Sequence, residues 1–221
     1  MVFNPNPAAG GTRAGPVIAG ALLIGIFAVM AGLYVKRGGS RNAEVAGASC
    51  AGAREVAGRL APLATGEVAA LKVAATPQPA TPVAFNAPDG QRLTLADFRG
   101  RAILVNLWAT WCAPCRAEMP ALDKLQGELG GADFEVVAIN IDTTRLDRPK
   151  AFLNEVGVNR LVQYADPTGA IFADLKKAGK AFGMPTTLLI DRQGCEIGAM
   201  AGPAEWASSD AQKLIRELLG R

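Results

Sequence analysis

Residues 102–129 read AILVNLWATWCAPCRAEMPALDKLQGEL, and they set the architecture of the chain. The first six residues form a nearly continuous apolar run, which is typical of a strand buried on both faces. Met119, Leu122 and Leu125 then recur at helical spacing, so we expect a helix that ends at the following glycine pair. A second apolar run at 134–141, FEVVAINI, predicts another buried strand. A helix between two such strands makes a βαβ unit with a parallel strand pair.

The remaining C-terminal sequence predicts more of the same sheet. Residues 186–190 and 196–201 flank the turn sequence DRQG, a pattern typical of a β-hairpin. Residues 142–182 give weaker signals for short helices and one short strand, and Pro203 should open a last helix. We therefore expect an α/β fold, with a mixed central sheet covered by helices.

Two cysteines, Cys112 and Cys115, stand where the first strand should end and the helix should begin. A thiolate at a helix N-terminus meets unsatisfied N–H groups and the positive end of the helix dipole, and both lower its pKa. We therefore predict that Cys112 is the attacking thiol. Cys115 lies within disulfide reach and one turn further in, which suits a resolving thiol.

The cysteine pair is open to other interpretations, which the rest of the sequence argues against. A zinc site would need a second ligand pair, but Cys50 and Cys195 lie far apart and the 221 residues contain no histidine. A purely structural disulfide across so short a loop would gain little chain entropy. A peroxidatic cysteine would have Thr or Ser where this chain has Ala109. The missing histidine also excludes Ser-His and Cys-His catalytic arrangements.

The segment NLWATWCAPCRAEMP at 106–120, together with GMPTT at 183–187, resembles the membrane-anchored thioredoxin-like proteins of bacteria. It is most similar to the TlpA/ResA/CcmG-like family of thiol:disulfide interchange proteins, and the match covers about 83–221. The resemblance implies a thioredoxin-like fold with an insertion, at 142–182, after the first βαβ unit. It also implies a cis-proline at Pro185 that faces the cysteines.

Other expected site residues surround the cysteines. Met184 and Pro185 should meet the substrate, since a cis X-Pro bond exposes the preceding backbone for pairing with a substrate strand. Trp111 is also an expected substrate contact; for it and for Trp108, packing and hydrophobic cover of the sulfurs are equal alternatives. Cytoplasmic thioredoxins carry a buried Asp where this chain has Asn106, and Asn cannot take a proton. Glu118, one turn past Cys115, resembles the glutamate of the membrane-anchored reductases and is the candidate replacement; the alternative is a solvated acid on the helix face.

The N-terminal segment accounts for the basic charge of the chain. Its first 41 residues hold four basic and no acidic side chains, whereas the net charge of the whole chain is +3. Residues 17–35 are uncharged and apolar, and as a helix would be roughly 28 Å long, close to a bilayer core. The predicted order is an N-terminal cytoplasmic tail at 1–16, a transmembrane anchor at 17–35, a spacer with short helices and a Pro-rich linker at 36–82, and the thioredoxin-like domain at 83–221. A cleaved signal peptide is the alternative to an anchor.

Charge and cysteine usage disagree about the compartment. Lys36, Arg37 and Arg41 follow the apolar run and one basic residue precedes it, so the positive-inside rule would leave the domain in the cytoplasm. In an oxidising compartment, however, Cys50 and Cys195 could form a structural disulfide that clamps the preceding helix onto the domain. Two free buried cysteines are the alternative. We expect a single-pass protein of the bacterial inner membrane, with its catalytic domain in the periplasm.

The predicted function is that of a membrane-anchored disulfide oxidoreductase. By resemblance, its partners would be periplasmic proteins with cysteine pairs in respiratory cytochrome assembly, and its electrons would come from a membrane thiol donor. No cofactor besides the dithiol, no metal and no nucleic acid is expected, and the protein should be a monomer. The alternatives are a copper metallochaperone that uses Cys112 and Cys115, and a general periplasmic oxidant or isomerase.

Overall fold

The computed structural model describes residues 1–2 and 50–221. The predicted tail at 1–16, the predicted anchor at 17–35 and the start of the predicted spacer lie outside the described residues, apart from the first two positions. No helix in the described part of the chain is long and apolar enough to cross a bilayer. Residues 50–221 belong to one compact unit.

This unit is a mixed sheet with helices packed on it. The strands are β1 (Lys72–Pro79), β2 (Ala84–Asn86), β3 (Arg92–Thr94), β4 (Ala102–Trp108), β5 (Phe134–Asn140), β6 (Tyr164–Ala165), β7 (Thr186–Ile190) and β8 (Cys195–Ala201). The α-helices are α1 (Ala53–Leu60), α2 (Ala113–Leu129), α3 (Arg148–Glu155), α4 (Ala170–Lys177) and α5 (Ser209–Leu219), joined by short 3₁₀ turns at Ala61–Leu63, Gly66–Val68 and Leu95–Phe98. The strand order is β1-β8-β7-β4-β5-β6-β2-β3.

The centre of the sheet is the βαβ unit that the sequence predicts. β4 pairs in parallel with β5 and antiparallel with β7, and every residue of β4 and β5 is buried. Apolar runs of this kind suit strands that are covered on both faces. The predicted thioredoxin-like α/β fold with a mixed sheet is thus confirmed. Residues 142–182 carry α3, β6 and α4, and β6 joins the sheet between β5 and β2.

The structured domain begins earlier than the predicted boundary at 83. Part of the Pro-rich linker predicted within 36–82 is instead a strand, since Lys72–Pro79 form β1, which pairs antiparallel with β8. Pro77 and Pro79 fit there because β1 is an edge strand, where a missing backbone donor costs no ladder bond. The last helix also differs from its prediction, since it begins at Ser209 rather than at Pro203.

The first helix of the described range, α1, is joined by a disulfide to the start of β8. Cys50, just before α1, and Cys195, the first residue of β8, form a disulfide with an S–S distance of 1.89 Å and a Cα–Cα distance of 5.8 Å. α1 buries Ala53, Ala57 and Leu60 in the core. The bridge therefore ties a short helix, which would be marginally stable alone, to the sheet.

Replacing Cys50 and Cys195 together by alanine should lower the free energy of unfolding by about 5 kcal/mol in the chain-entropy model. The reason is the long loop that the bridge closes, with a sequence separation of 145. Urea unfolding of the oxidised wild type and double variant, followed by tryptophan fluorescence, measures the difference. In dithiothreitol the two proteins should converge, and an oxidised-state loss below about 1 kcal/mol would contradict a stabilising role for the bridge.

Candidate active site

Cys112 lies in the turn between β4 and α2, at the C-terminal end of a central strand. The N–H of Cys112 donates to the carbonyl of Ala109 at 3.1 Å, which closes the turn. The N–H of Ile141, just past β5, donates to the carbonyl of Trp108 at 2.9 Å and extends the parallel ladder to the turn. The position of Cys112 is therefore fixed by the pairing of two buried strands.

Cys112 is also the N-cap residue of α2. Its Sγ accepts a hydrogen bond from the N–H of Cys115 at 3.3 Å, and Pro114 occupies the first turn, where no donor is needed. The two cysteines form a disulfide, with an S–S distance of 2.01 Å and a Cα–Cα distance of 5.3 Å. Cys112 keeps 5% of its surface exposed, whereas Cys115 keeps none. After reduction, the helix N-terminus would stabilise a thiolate on Cys112.

The turn is held from the other side by Asp142, a residue that the sequence analysis did not single out. Both of its carboxylate oxygens lie 3.2 Å from the N–H of Thr110, which donates to them. The side chain of Asn140 donates to the same carboxylate at 3.2 Å and accepts from the N–H of Asp142 at 3.0 Å. The sequence signal that could have identified Asp142 is the pair of polar residues, Asn140 and Asp142, at the end of the buried strand β5, which pairs with the strand that leads to the cysteines.

Glu118 is buried among polar partners, so the solvated-acid alternative for this residue is wrong. Only 3% of its surface is exposed. Its Oε1 accepts from Nδ2 of Asn106 at 2.7 Å. Its Oε2 accepts from the N–H of Ala204 at 3.2 Å and from Nε1 of Trp206 at 3.3 Å. Cys115 lies three residues earlier on α2, so the carboxyl group and the buried thiol are one helical turn apart.

Burial makes Glu118 a weaker acid than usual. Desolvation raises the pKa of Glu118 to about 7, although the hydrogen bonds from Asn106, Ala204 and Trp206 act to lower it. A carboxyl group with a pKa near 7 can both accept and release a proton at neutral pH. In a chain without histidine, this group is suited to that exchange.

The predicted substrate-contacting residues lie at the same end of the central strands as the cysteine pair. The Met184-Pro185 peptide bond is cis. Thr186, directly after it, is the Cα partner of Leu107 on β4, so Pro185 lies next to the strand end that leads to Cys112. Trp111 is 67% exposed beside the cysteine pair. The structure thus brings these predicted residues to the same region as the two cysteines.

The second tryptophan near the motif has a different environment. Trp108 is 2% exposed and its ring lies 5.9 Å from that of Phe152 on α3. The guanidinium of Arg116 stacks 4.8 Å above the same Phe152 ring. Trp108 is therefore a core residue that packs against the insertion, whereas Trp111 remains available at the surface.

Cys195 lies at the opposite end of β7 from Pro185, so the second disulfide is outside this site.

Most of the described domain matches a known protein family. The family model described as Redoxin matches residues 72–215. This range begins at the first residue of β1, which agrees with the early start of the domain in the structure.

Named relatives share the region around the cysteine pair. The thiol-disulfide oxidoreductase ResA of Oceanobacillus iheyensis is 37% identical over 106 residues, covering 48% of this chain and 52% of that protein. The thiol:disulfide interchange protein DsbE of Pseudomonas aeruginosa is 36% identical over 140 residues, covering 62% of this chain and 69% of that protein. The thioredoxin-like protein YneN of Bacillus subtilis is 36% identical over 108 residues, covering 48% and 59%. The chain spans only 52% to 62% of the length of the first curated relatives that it matches.

Solved structures share the fold. A thiol:disulfide interchange protein DsbE from Chlorobium tepidum aligns with a TM-score of 0.56 and 30% identity, over 65% of this chain and 97% of that one. A thiol-disulfide oxidoreductase from Bacteroides vulgatus aligns with a TM-score of 0.54 and 30% identity, over 64% and 94%. The expected resemblance to thioredoxin-like thiol-disulfide oxidoreductases is confirmed.

The buried carboxyl of Glu118 should make the stability depend on pH. Because its pKa rises from 4.5 to about 7 on folding, the folded state holds a proton that the unfolded state has lost between these values. The free energy of unfolding should therefore fall by about 3 kcal/mol as the pH rises through this window, and then level off. Urea unfolding of the oxidised protein at a series of pH values measures this slope.

In Glu118→Gln that contribution to the slope should disappear, because the amide does not titrate. The exposed Glu155 offers a matched control, and Glu155→Gln should keep the wild-type slope. Equal slopes in wild type and Glu118→Gln would show that Glu118 does not titrate in this range.

Proposed function

The chain belongs to the Redoxin family, and from that premise we propose that it is a thiol-disulfide oxidoreductase that reduces disulfides in partner proteins. The observation that carries this proposal is the asymmetry of the cysteine pair. Cys112 caps α2 and keeps some exposure, whereas Cys115 has none. An activated outer thiol with a buried partner is the arrangement that thiol-disulfide exchange requires.

The first step forms a mixed disulfide. The thiolate of Cys112 attacks one sulfur of the substrate disulfide, that S–S bond breaks, and the other substrate sulfur leaves as a thiolate that takes a proton. The N–H of Cys115, which lies 3.3 Å from Sγ of Cys112, helps to stabilise the attacking thiolate. Exposed Trp111 offers an apolar surface beside the attacking sulfur.

The second step releases the reduced substrate. The thiol of Cys115 loses its proton and attacks the sulfur of Cys112, which breaks the mixed disulfide and frees the second substrate thiolate. Two electrons have then passed from the cysteine pair to the substrate. Glu118 is our candidate acceptor for the Cys115 proton, since it lies one turn further along α2 and its pKa is about 7.

We further propose a setting for this reaction. The substrates are cysteine pairs of periplasmic proteins in respiratory cytochrome assembly, and a membrane thiol donor returns the electrons. Support comes from the family resemblance and from the predicted apolar anchor at 17–35. The Cys50–Cys195 bridge adds to it, because a disulfide outside an active site is typical of an oxidising compartment. We propose that the dithiol works without a further cofactor.

Trapping tests the proposed mechanism. In Cys115→Ser the mixed disulfide on Cys112 cannot be resolved, so partner proteins should accumulate as covalent adducts that dithiothreitol releases. Cys112→Ser is the matched control and should give none. Non-reducing electrophoresis of full-length protein from cells, followed by mass spectrometry, identifies the adducts. If both variants formed equal amounts of covalent adduct, the assignment of Cys112 as the attacking thiol would be contradicted.

The direction of the reaction depends on the reduction potential of the pair. If the protein is a reductase, equilibration with glutathione or dithiothreitol should give a reduction potential of about −270 mV, as for thioredoxin, and the protein should reduce insulin. A value near about −120 mV, typical of the strong oxidant DsbA, would instead favour the oxidant alternative.

A further inference from the structure

One buried polar atom beside the active site lacks a partner. Within the part of the chain that the structure describes, the Oδ1 atom of Asn106 forms no hydrogen bond, although the residue is fully buried. Its Nδ2 instead donates twice, to Oε1 of Glu118 at 2.7 Å and to Oγ1 of Thr187 at 3.1 Å. A buried acceptor without a partner is costly, so its presence needs a physical reason.

The two oxygens of Glu118 differ in whether they can carry a proton. Oε2 accepts from the backbone N–H of Ala204 and from the indole N–H of Trp206. Both groups can only donate, so a proton on Oε2 would compete with one of them for its place on the oxygen and would find no acceptor there. The proton of neutral Glu118 therefore belongs on Oε1, which faces Asn106.

The amide of Asn106 can accommodate either state of that oxygen. Ionised Oε1 needs a donor, and Nδ2 supplies it at 2.7 Å. Protonated Oε1 needs an acceptor, which the amide supplies after a rotation of about 180° that exchanges Nδ2 and Oδ1. The partnerless Oδ1 is thus the acceptor required by the other protonation state.

The second partner of Asn106 is also reversible. The hydroxyl of Thr187 accepts from Nδ2 in the observed arrangement. A hydroxyl can equally donate, so after the rotation it can give its hydrogen to Oδ1. The number of hydrogen bonds to Asn106 is then the same in both states, and no bond to Trp206 or Ala204 is broken.

We propose that Asn106 is a positioning residue that turns its side-chain amide with the protonation of Glu118, presenting Nδ2 to the carboxylate and Oδ1 to the carboxylic acid, while Thr187 reverses from acceptor to donor. This deepens the proposed function, because the proton that drives the rotation comes from the Cys115 thiol in the resolving step. Glu118 then releases this proton to solvent, which restores the carboxylate arrangement observed beside the disulfide. The thiolate of Cys115 takes up a proton when the cysteine pair is reduced again.

The surroundings of Glu118 keep this exchange local. Its hydrogen-bond partners from β4 and from the segment before α5 are neutral, and Thr187 of β7, behind Asn106, is neutral as well. On α2 the titratable group one turn away is Cys115, which is held in the disulfide in this state. Glu205, between Ala204 and Trp206, is exposed and accepts from the N–H of Ala207 instead.

A pH titration of the oxidised full-length protein by NMR tests the proposal. The side-chain carboxyl ¹³C signal of Glu118 and the side-chain amide signals of Asn106 are followed between pH 5 and 9. We expect both to titrate with one shared midpoint, close to the pKa of about 7. A Glu118 signal that titrates while the Asn106 amide stays constant would overturn the proposal, as would a Glu118 midpoint at its ordinary value.

Two variants extend the test. In Glu118→Gln, the amide oxygen faces Trp206 and Ala204 while its NH₂ faces Asn106, which mimics the protonated acid. The Asn106 signals should then match the low-pH form of the wild type at every pH. Asn106→Asp places a second carboxyl group against Glu118, so the midpoint of the pair should rise by about one pH unit or more.

Controls separate this proposal from structural effects and from the proposed function. Asn154→Asp, on the exposed face of α3, should leave the Glu118 midpoint unchanged. Insulin reduction by the wild type tests the proposed disulfide-exchange activity separately. The NMR titration tests the coupling of Asn106 to Glu118 whether or not that activity is found. If Asn106→Asp fails to fold, the wild-type and Glu118→Gln titrations decide the matter.

Discussion

The antiparallel register between β4 and β7 is the constraint on which the geometry of the site depends. It pairs Asn106 with Thr187 and Leu107 with Thr186. The same pairing brings Pro185 to the end of β4, where the chain turns toward Cys112. A slip of one residue would send the side chains to the opposite faces of the sheet, and would separate Asn106 from Thr187. The relation between the cysteine pair and its polar neighbours is therefore set by the sheet.

β5 completes this positioning from the other side of β4. Its last residues lead to Asp142, whose carboxylate holds the N–H of Thr110, and to the ladder bond between Ile141 and Trp108. A turn that is fastened to a buried strand keeps the N-terminus of α2 aimed at the sulfur of Cys112. Stabilisation of a thiolate by helix N–H groups falls off within one turn, so the orientation of α2 relative to the Cys112 sulfur directly affects the reactivity of that thiol.

Local patterns predicted the centre of this fold but not its margins. β4, α2 and β5 were predictable because an uninterrupted apolar run and a helical spacing are visible within a few residues. β1 was not, because Pro77 and Pro79 read as linker until their place on an edge strand is known. For Glu118, its spacing from Cys115 left burial undecided, since the partners Ala204 and Trp206 come from 86 and 88 residues further along the chain. Asp142 escaped notice for the same reason: its role depends on a contact between strands.

In the proposed mechanism, a chain without histidine takes its near-neutral proton acceptor from a carboxyl group that burial shields from water. Full burial alone would push the pKa of Glu118 further upward, whereas the donors at Asn106, Ala204 and Trp206 oppose that shift. An Asp at position 106 would add a second negative charge and compete for the proton, but Asn supplies a donor without charge. The proposed mechanism therefore places two tasks on one helix. The N-terminus of α2 stabilises a thiolate at Cys112, and Glu118, one turn beyond Cys115, holds the proton at a point where the helix dipole has little effect on ionisation.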